Sequence, residues 1–160
     1  MTTLPELGTT APEFDLPADG GTRVKLSDFR GQPVVIYFYP KDDTSGCTKQ
    51  AIAFTEDLDA YRSAGIAVVG ISKDSPQSHD KFIAKHELGI RLASDEDTAV
   101  AQAYGVWVEK NMYGRKFMGI QRATFLLDGD GIVRHVWPKV RVAGHSAEVL
   151  ETATSALDFE

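Results

Sequence analysis

Residues 34–39, Val-Val-Ile-Tyr-Phe-Tyr, form an unbroken apolar run that Pro40 ends. A strand buried on one face alternates apolar and polar residues. A short run that is apolar at every position fits a strand buried on both faces. Proline cannot donate to a sheet ladder, so the strand stops at Pro40. Such a strand forces the rest of the chain to supply cover for both sides of a sheet.

The next segments supply that cover. After a polar loop a helix begins near Ser45, with an apolar stripe at Cys47, Ala51, Phe54, Leu58 and Tyr61. These positions lie three or four apart, the spacing of one helix face. Gly65 is placed to stop it. Residues 66–71 read as a second buried strand. Strand, helix, strand of this length is a βαβ unit, so the two strands are expected to be parallel with a right-handed crossover.

Ahead of the unit, Phe14-Asp15-Leu16 and Val24-Lys25-Leu26 flank a turn holding Gly20-Gly21, which reads as an N-terminal β-hairpin. Behind it, Ser75 as N-cap and Pro76 at the first position open a second helix reaching about residue 88. A third, shorter helix is expected over 97–104. Residues 123–127 and 132–137 read as strands around the turn Asp128-Gly129-Asp130-Gly131. A last helix is expected over about 146–157. The stretch holding Trp107, Met112, Tyr113 and Met118 reads as irregular, its side chains either bordering the pocket or packing into the core. The fold expected is α/β and thioredoxin-like: a central mixed β-sheet flanked by helices, with an N-terminal β-hairpin, in a single domain over 1–160.

A chain of 160 residues buries enough surface to fold without a staple. The net charge of −6 and the lack of a basic run argue against a nucleic-acid partner. No apolar run approaches the ~20 residues that span a membrane, and residues 1–14 do not resemble a secretory leader. The single cysteine forbids an internal disulfide, which points to a reducing compartment and a cytoplasmic location.

That cysteine, Cys47, falls in the first turn of the helix after the buried strand. Sheets of this kind bind ligands beyond the carboxyl ends of their strands. A helix N-terminus directs unpaired N–H groups and partial positive charge there, which favours a thiolate. A thiol of pKa about 8.5 is about 3% ionised at pH 7, and one of pKa about 6 is about 90% ionised, a gain of roughly 30-fold. A less basic thiolate is also a weaker nucleophile, so fast chemistry needs fixed donors as well. Thr44 offers a hydroxyl, Gly46 lets a small molecule approach the backbone, and Arg122 brings a permanent charge with several donors. Taken singly, Cys47 reads as a core residue, Thr44 as a helix cap, Arg122 as a surface or salt-bridge residue and Pro40 as a strand terminator.

Taken together, they match a family. Residues 37–48, Tyr-Phe-Tyr-Pro-Lys-Asp-Asp-Thr-Ser-Gly-Cys-Thr, resemble the active-site segment of peroxiredoxins, whose signature Pro-x-x-x-Thr-x-x-Cys is filled by Pro40, Thr44 and Cys47. Gly114, Met118-Gly119-Ile120 and Arg122-Ala123-Thr124-Phe125 resemble the later segment carrying that family's arginine. The chain is most similar to the bacterioferritin comigratory protein, or peroxiredoxin Q, subgroup over residues 7–150. The resemblance implies a thiol-dependent peroxidase for hydrogen peroxide and organic hydroperoxides, serving antioxidant defence without metal or organic cofactor. Cys47 would be the peroxidatic thiolate, leaving a sulfenic acid. Thr44 would bond the peroxide and thiolate, Arg122 would hold the thiolate and transition state, and Pro40 would shield the pocket. The first helical turn would unwind after oxidation, with Cys47 poorly exposed while reduced.

Many members of that subgroup carry a second cysteine five residues on or in the next helix; here the first position is Ile52 and the second helix has none. The chain resembles one-cysteine variants, so an external thiol, thioredoxin or glutathione with glutaredoxin, is the implied partner of a monomer. A disulfide reductase would want Cys-x-x-Cys, but Thr44 stands there. A copper-delivery protein would want Cys-x-x-x-Cys, but Ala51 stands there. The non-enzyme alternative is a redox sensor or chaperone-like binding protein signalling through oxidised Cys47. His79 and His86 share a helix face, and His135 and His145 lack ligand spacing; all four read as solvent-facing, with no metal site. Asp42 and Asp43 read as solvated.

Overall fold

The computed structural model describes residues 4–157, so both ends of the 1–160 domain reading lie outside the described residues. Its centre is a five-stranded sheet, built from β3 (Val34–Phe38), β4 (Ala67–Ser72), β5 (Arg91–Ser94), β8 (Ala123–Leu127) and β9 (Val133–Trp137), in the order β5-β4-β3-β8-β9. β3 pairs parallel with β4, and β4 with β5, while β3–β8 and β8–β9 are antiparallel. The sheet is mixed, as expected.

β3 is buried along its whole length and has two partners. Val34, Ile36 and Phe38 enter one core, and Val35, Tyr37 and Tyr39 enter the other. This period-two split explains why the run tolerates no polar residue. The second core is filled from α1 (Ser45–Glu56), α2 (Leu58–Ser63), α3 (Pro76–His86) and α5 (His145–Leu157). The first is closed by α4 (Ala99–Ala103) and the N-terminal hairpin of β1 (Asp15–Pro17) and β2 (Arg23–Lys25), through Leu16, Val24 and Val100. Among the described residues no helix is long and apolar enough to cross a membrane.

Two expectations need correction, and one strand has no signal in the sequence. The helix expected to run unbroken through Leu58 and Tyr61 divides at Asp57. The Asp57 carboxylate accepts from the Ser146 hydroxyl at 2.8 Å, so the break docks the start of α5. Residues 91–94 form β5, a strand too short to show a period.

Residues 107–120, read as irregular, are a β-hairpin of β6 (Trp107–Met112) and β7 (Arg115–Ile120). Its strands hide little surface and alternate poorly. Its turn places Tyr113 and Gly114 at φ 53° and 77°, and tyrosine is no usual signal for such a turn. Tyr113 is 97% exposed and, with Met112 and Phe117, borders a shallow surface pocket at the hairpin tip. Met112 and Met118 are also exposed, whereas Trp107 packs against the first core.

Candidate active site

The sheet topology brings Cys47 and Arg122 together. Pairing of β3 continues one residue past its end, where the Tyr39 N–H donates to the Ile71 carbonyl at 3.1 Å, and half-buried Pro40 then turns the chain out. The loop over 40–44 leads into α1, with Cys47 in its first turn. β8 runs antiparallel beside β3 with Ala123 opposite Phe38. The start of β8 therefore lies at the carboxyl end of β3, and Arg122 precedes it by one residue. Two residues 75 apart in sequence meet because one strand ends where its neighbour begins.

Arg122 Nη2 donates to Cys47 Sγ at 3.3 Å, and Nη1 donates to Gln50 Oε1 at 2.6 Å. Cys47 is 2% exposed, consistent with the poor exposure expected of the reduced thiol. Gln50 lies three residues on, on the same face of α1, and is 1% exposed. It fixes the guanidinium plane from below and was not singled out in the sequence, where a glutamine inside a helix carries no signal. Gly46 also makes room for Arg122. A Cβ there would stand 3.1 Å from Arg122 Nη2, so the missing side chain admits the arginine.

Thr44 occupies the N-cap position of α1, but its side chain makes no cap hydrogen bond. Its hydroxyl donates to the Lys41 carbonyl at 2.8 Å instead, leaving its lone pairs free to accept. The N–H groups of Gly46 and Cys47 belong to the helix turn that has no intrahelical acceptors. Sulfur and guanidinium thus meet at the first turn of α1, which Thr44 precedes as N-cap residue.

The reading of Asp42 and His79 as solvated is overturned. Asp42 is 6% exposed and His79 is 0% exposed. Asp42 Oδ1 accepts from the Tyr39 hydroxyl at 2.5 Å; Oδ2 accepts from the Ser78 hydroxyl at 2.8 Å and lies 2.7 Å from His79 Nδ1. His79 Nε2 lies 3.1 Å from the Ala93 carbonyl, which can only accept, so Nε2 carries a proton. The Asp42 N–H donates to Asp74 Oδ2 at 2.8 Å. The next residue, Asp43, is exposed and pairs with Lys85 at 2.7 Å and His86 at 2.9 Å. Bonds from His86 and Lys85 hold its carboxyl below the usual carboxylate range. Two consecutive acids thus clip the Cys47 loop to α3. His79 and His86 do share a face, and it is the face that meets this loop.

His145 is also buried rather than solvent-facing. Its Nε2 lies 2.9 Å from Thr124 Oγ1, and its ring meets Phe54 and Trp137 edge-on. Burial lowers its pKa from 6.5 to about 4; Arg122 adds to the lowering and Glu148 opposes it. The folded state therefore resists protonation, and stability is complete above about pH 6.5 and falls as pH drops toward 4. Wild type is expected to lose about 2 kcal/mol more than His145→Gln between pH 7 and pH 5, read by urea unfolding. His135 is partly buried and packs against Trp137 with ring centroids 4.2 Å apart and the rings tilted by 51°. Among the described residues no group of three His, Cys, Asp or Glu side chains is placed to hold a metal ion.

Residues 7–136 match the AhpC/TSA family. The chain belongs to that family. It is 50% identical over 145 residues to a putative peroxiredoxin bcp of Coxiella burnetii, covering 91% of this chain and 96% of the relative. It is 42% identical over 147 residues to peroxiredoxin Bcp of Bacillus subtilis, covering 92% and 94%. The fold superposes on bacterioferritin comigratory protein of Xanthomonas campestris, whose structures concern alkyl peroxide reduction, with TM-score 0.85, 44% identity and coverage of 89% and 90%. A Cys→Ser mutant of Xylella fastidiosa PrxQ gives TM-score 0.91 at 34% identity, covering 97% and 98%. The thioredoxin-like fold expected from the sequence is thereby established, and this AhpC/TSA member is a thiol peroxidase of the peroxiredoxin Q kind with one cysteine. As a peroxiredoxin it takes a peroxide as substrate and a thiol as reductant.

Proposed function

We propose that Cys47 reduces hydrogen peroxide and organic hydroperoxides by direct attack, passes through a sulfenic acid, and is restored by an external thiol. The observation that carries this reading is the Arg122 guanidinium 3.3 Å from the only sulfur able to do the work. The Cys47 thiolate attacks the nearer peroxide oxygen. A sulfur–oxygen bond forms, the O–O bond breaks, and the sulfur gives up two electrons. The departing oxygen leaves as hydroxide or alkoxide and takes a proton to become water or an alcohol.

The surrounding groups match that charge flow. The Thr44 hydroxyl, already donating to Lys41, accepts from the peroxide O–H and so orients it. Arg122 and the amides of Gly46 and Cys47 donate to the negative charge that moves from sulfur toward the leaving oxygen. Gln50 keeps the guanidinium in plane. Pro40 shields the pocket from water.

No second cysteine exists to form an internal disulfide, so thioredoxin or glutathione with glutaredoxin completes the cycle. Cys47 is buried, so the first turn of α1 unwinds to let that thiol reach the sulfenic acid. The lone thiol and acidic surface suit a monomer in a reducing cytoplasm.

Turnover separates this reading from a sensor. With excess thiol reductant, wild type is expected to consume many equivalents of hydrogen peroxide per chain, and Cys47→Ser none. A single equivalent consumed, followed by a long-lived oxidised form despite excess reductant, would favour the sensor and contradict the peroxidase cycle.

A further inference from the structure

Lys110 stands on β6, opposite Phe117 of β7. Its side chain does not rise straight from the ribbon. A Cβ placed on Gly119 would lie 3.2 Å from Lys110 Cδ, 3.3 Å from Cε and 3.6 Å from Nζ. The stem therefore lies flat across Gly119, two residues along β7 from its own partner and in the direction of Arg122. Only glycine leaves the backbone bare enough for this. The lysine is half-buried and has no ion-pair partner among the described residues. Glu109, its neighbour on the strand, occupies the other face of the ribbon and pairs with Lys116 at 3.8 Å.

The placement on Gly119 sets the charges that Lys110 meets. Burial first, then the Arg122 guanidinium, push its ammonium below the ordinary lysine range, while Cys47 pulls the other way. The acids nearest the active loop, Asp42 and Asp43, are engaged by α3 and do not neutralise it. Gly119 stands three residues before Arg122, so the Lys110 stem laid on it extends along the ribbon toward the guanidinium that bonds the Cys47 sulfur. Arg122 bonds the sulfur directly; Lys110 has no such bond and stands at the half-buried rim.

We propose that Lys110, laid across Gly119, is a specificity residue that selects a small thiol bearing a carboxylate as the reductant of oxidised Cys47. The proposal rests on the sulfenic acid chemistry above. The reductant thiolate attacks the Cys47 sulfur, an S–S bond forms, and the S–O bond breaks. Hydroxide leaves and takes a proton from solvent. A second thiol attacks the mixed disulfide, yielding an external disulfide and the Cys47 thiolate. Both attacking species are anions, and a carboxylate adds a further charge for Lys110 to hold.

The test uses the full chain, oxidised with one equivalent of hydrogen peroxide and mixed in stopped flow with mercaptosuccinate or neutral 2-mercaptoethanol. Lys110→Met keeps the stem on Gly119 and removes the charge. It is expected to lower the mercaptosuccinate rate about five- to tenfold more than the 2-mercaptoethanol rate, a difference that shrinks at high salt. Lys110→Arg is expected to restore the wild-type ratio. A ratio unchanged by Lys110→Met, or one that Lys110→Arg does not restore, overturns the proposal. If wild type forms no sulfenic acid, the peroxidase reading itself fails. The selectivity is then judged on reduced Cys47, by the ratio of alkylation rates with iodoacetate and iodoacetamide. The same loss of preference for the anion in Lys110→Met is expected, and an unchanged ratio overturns it.

Discussion

Arg122→Ala is expected to lower the second-order rate constant for oxidation by hydrogen peroxide about 10²- to 10³-fold, the usual effect of losing a charged donor aimed at developing negative charge. The side chain does two things at once: Nη2 bonds the sulfur and Nη1 bonds Gln50. Its removal takes away a fixed positive charge from a site where water is largely excluded, since Cys47 and Gln50 are both buried. Arg122→Lys keeps the charge but loses the planar fork, and so is expected to recover only part of the rate. Gln50→Ala is expected to cost less, about tenfold, because it loosens the guanidinium without removing it. The fold tolerates these changes, because Arg122 sits at a half-buried strand end, so unfolding midpoints are expected to move little. Stopped-flow oxidation at several peroxide concentrations checks the rates, and equal rate constants for wild type and Arg122→Ala would remove the arginine from the mechanism.

Asp42→Ala is expected to cost about 3–5 kcal/mol of stability, because it strips the partner from a buried charged or proton-sharing group. His79 is fully buried, so its Nδ1 loses the carboxylate with no water to replace it. The hydroxyls of Tyr39 and Ser78 lose their acceptor in the same step. Asp42→Asn keeps an acceptor oxygen of the same shape and is expected to cost less than half as much. The consequence reaches the chemistry through the loop. Asp42 lies two residues before Thr44, so releasing it frees the segment that orients the Thr44 hydroxyl against Lys41. Peroxide oxidation is therefore expected to slow even where the variant remains folded. Urea unfolding gives the stability, and oxidation rates below the unfolding transition give the activity. An Asp42→Ala variant as stable as wild type would show that the buried network contributes nothing.

The residues that could be read in the sequence are those whose signal is local. The strand at 34–38 announces itself because burial on both faces leaves no polar position. Ser75 and Pro76 mark the start of α3 because cap chemistry depends on immediate neighbours; the Ser75 hydroxyl accepts from the Ser78 N–H at 3.1 Å. Cys47 and Arg122 were legible only as a joint pattern. What escaped depends on partners far along the chain. Asp42 looks like any loop acid until His79, 37 residues away, is placed beside it. Gln50 and Lys110 are ordinary helix and strand surface types, and only the position of Arg122 and the bareness of Gly119 give them meaning. The β6–β7 hairpin escaped for the opposite reason: it buries too little surface for a pattern to be imposed on it.

The proposed cycle depends on Cys47 reacting with peroxide faster than an unassisted thiolate does. Rapid mixing of reduced protein with hydrogen peroxide, followed by quenching and intact-mass measurement, reads this step directly. The expected result is one oxygen added per chain, trappable as a sulfenic acid on Cys47, at a rate proportional to peroxide and far above that of a small thiol at the same thiolate concentration. A rate no higher than the small thiol's, or oxygen appearing equally in Cys47→Ser, would contradict it.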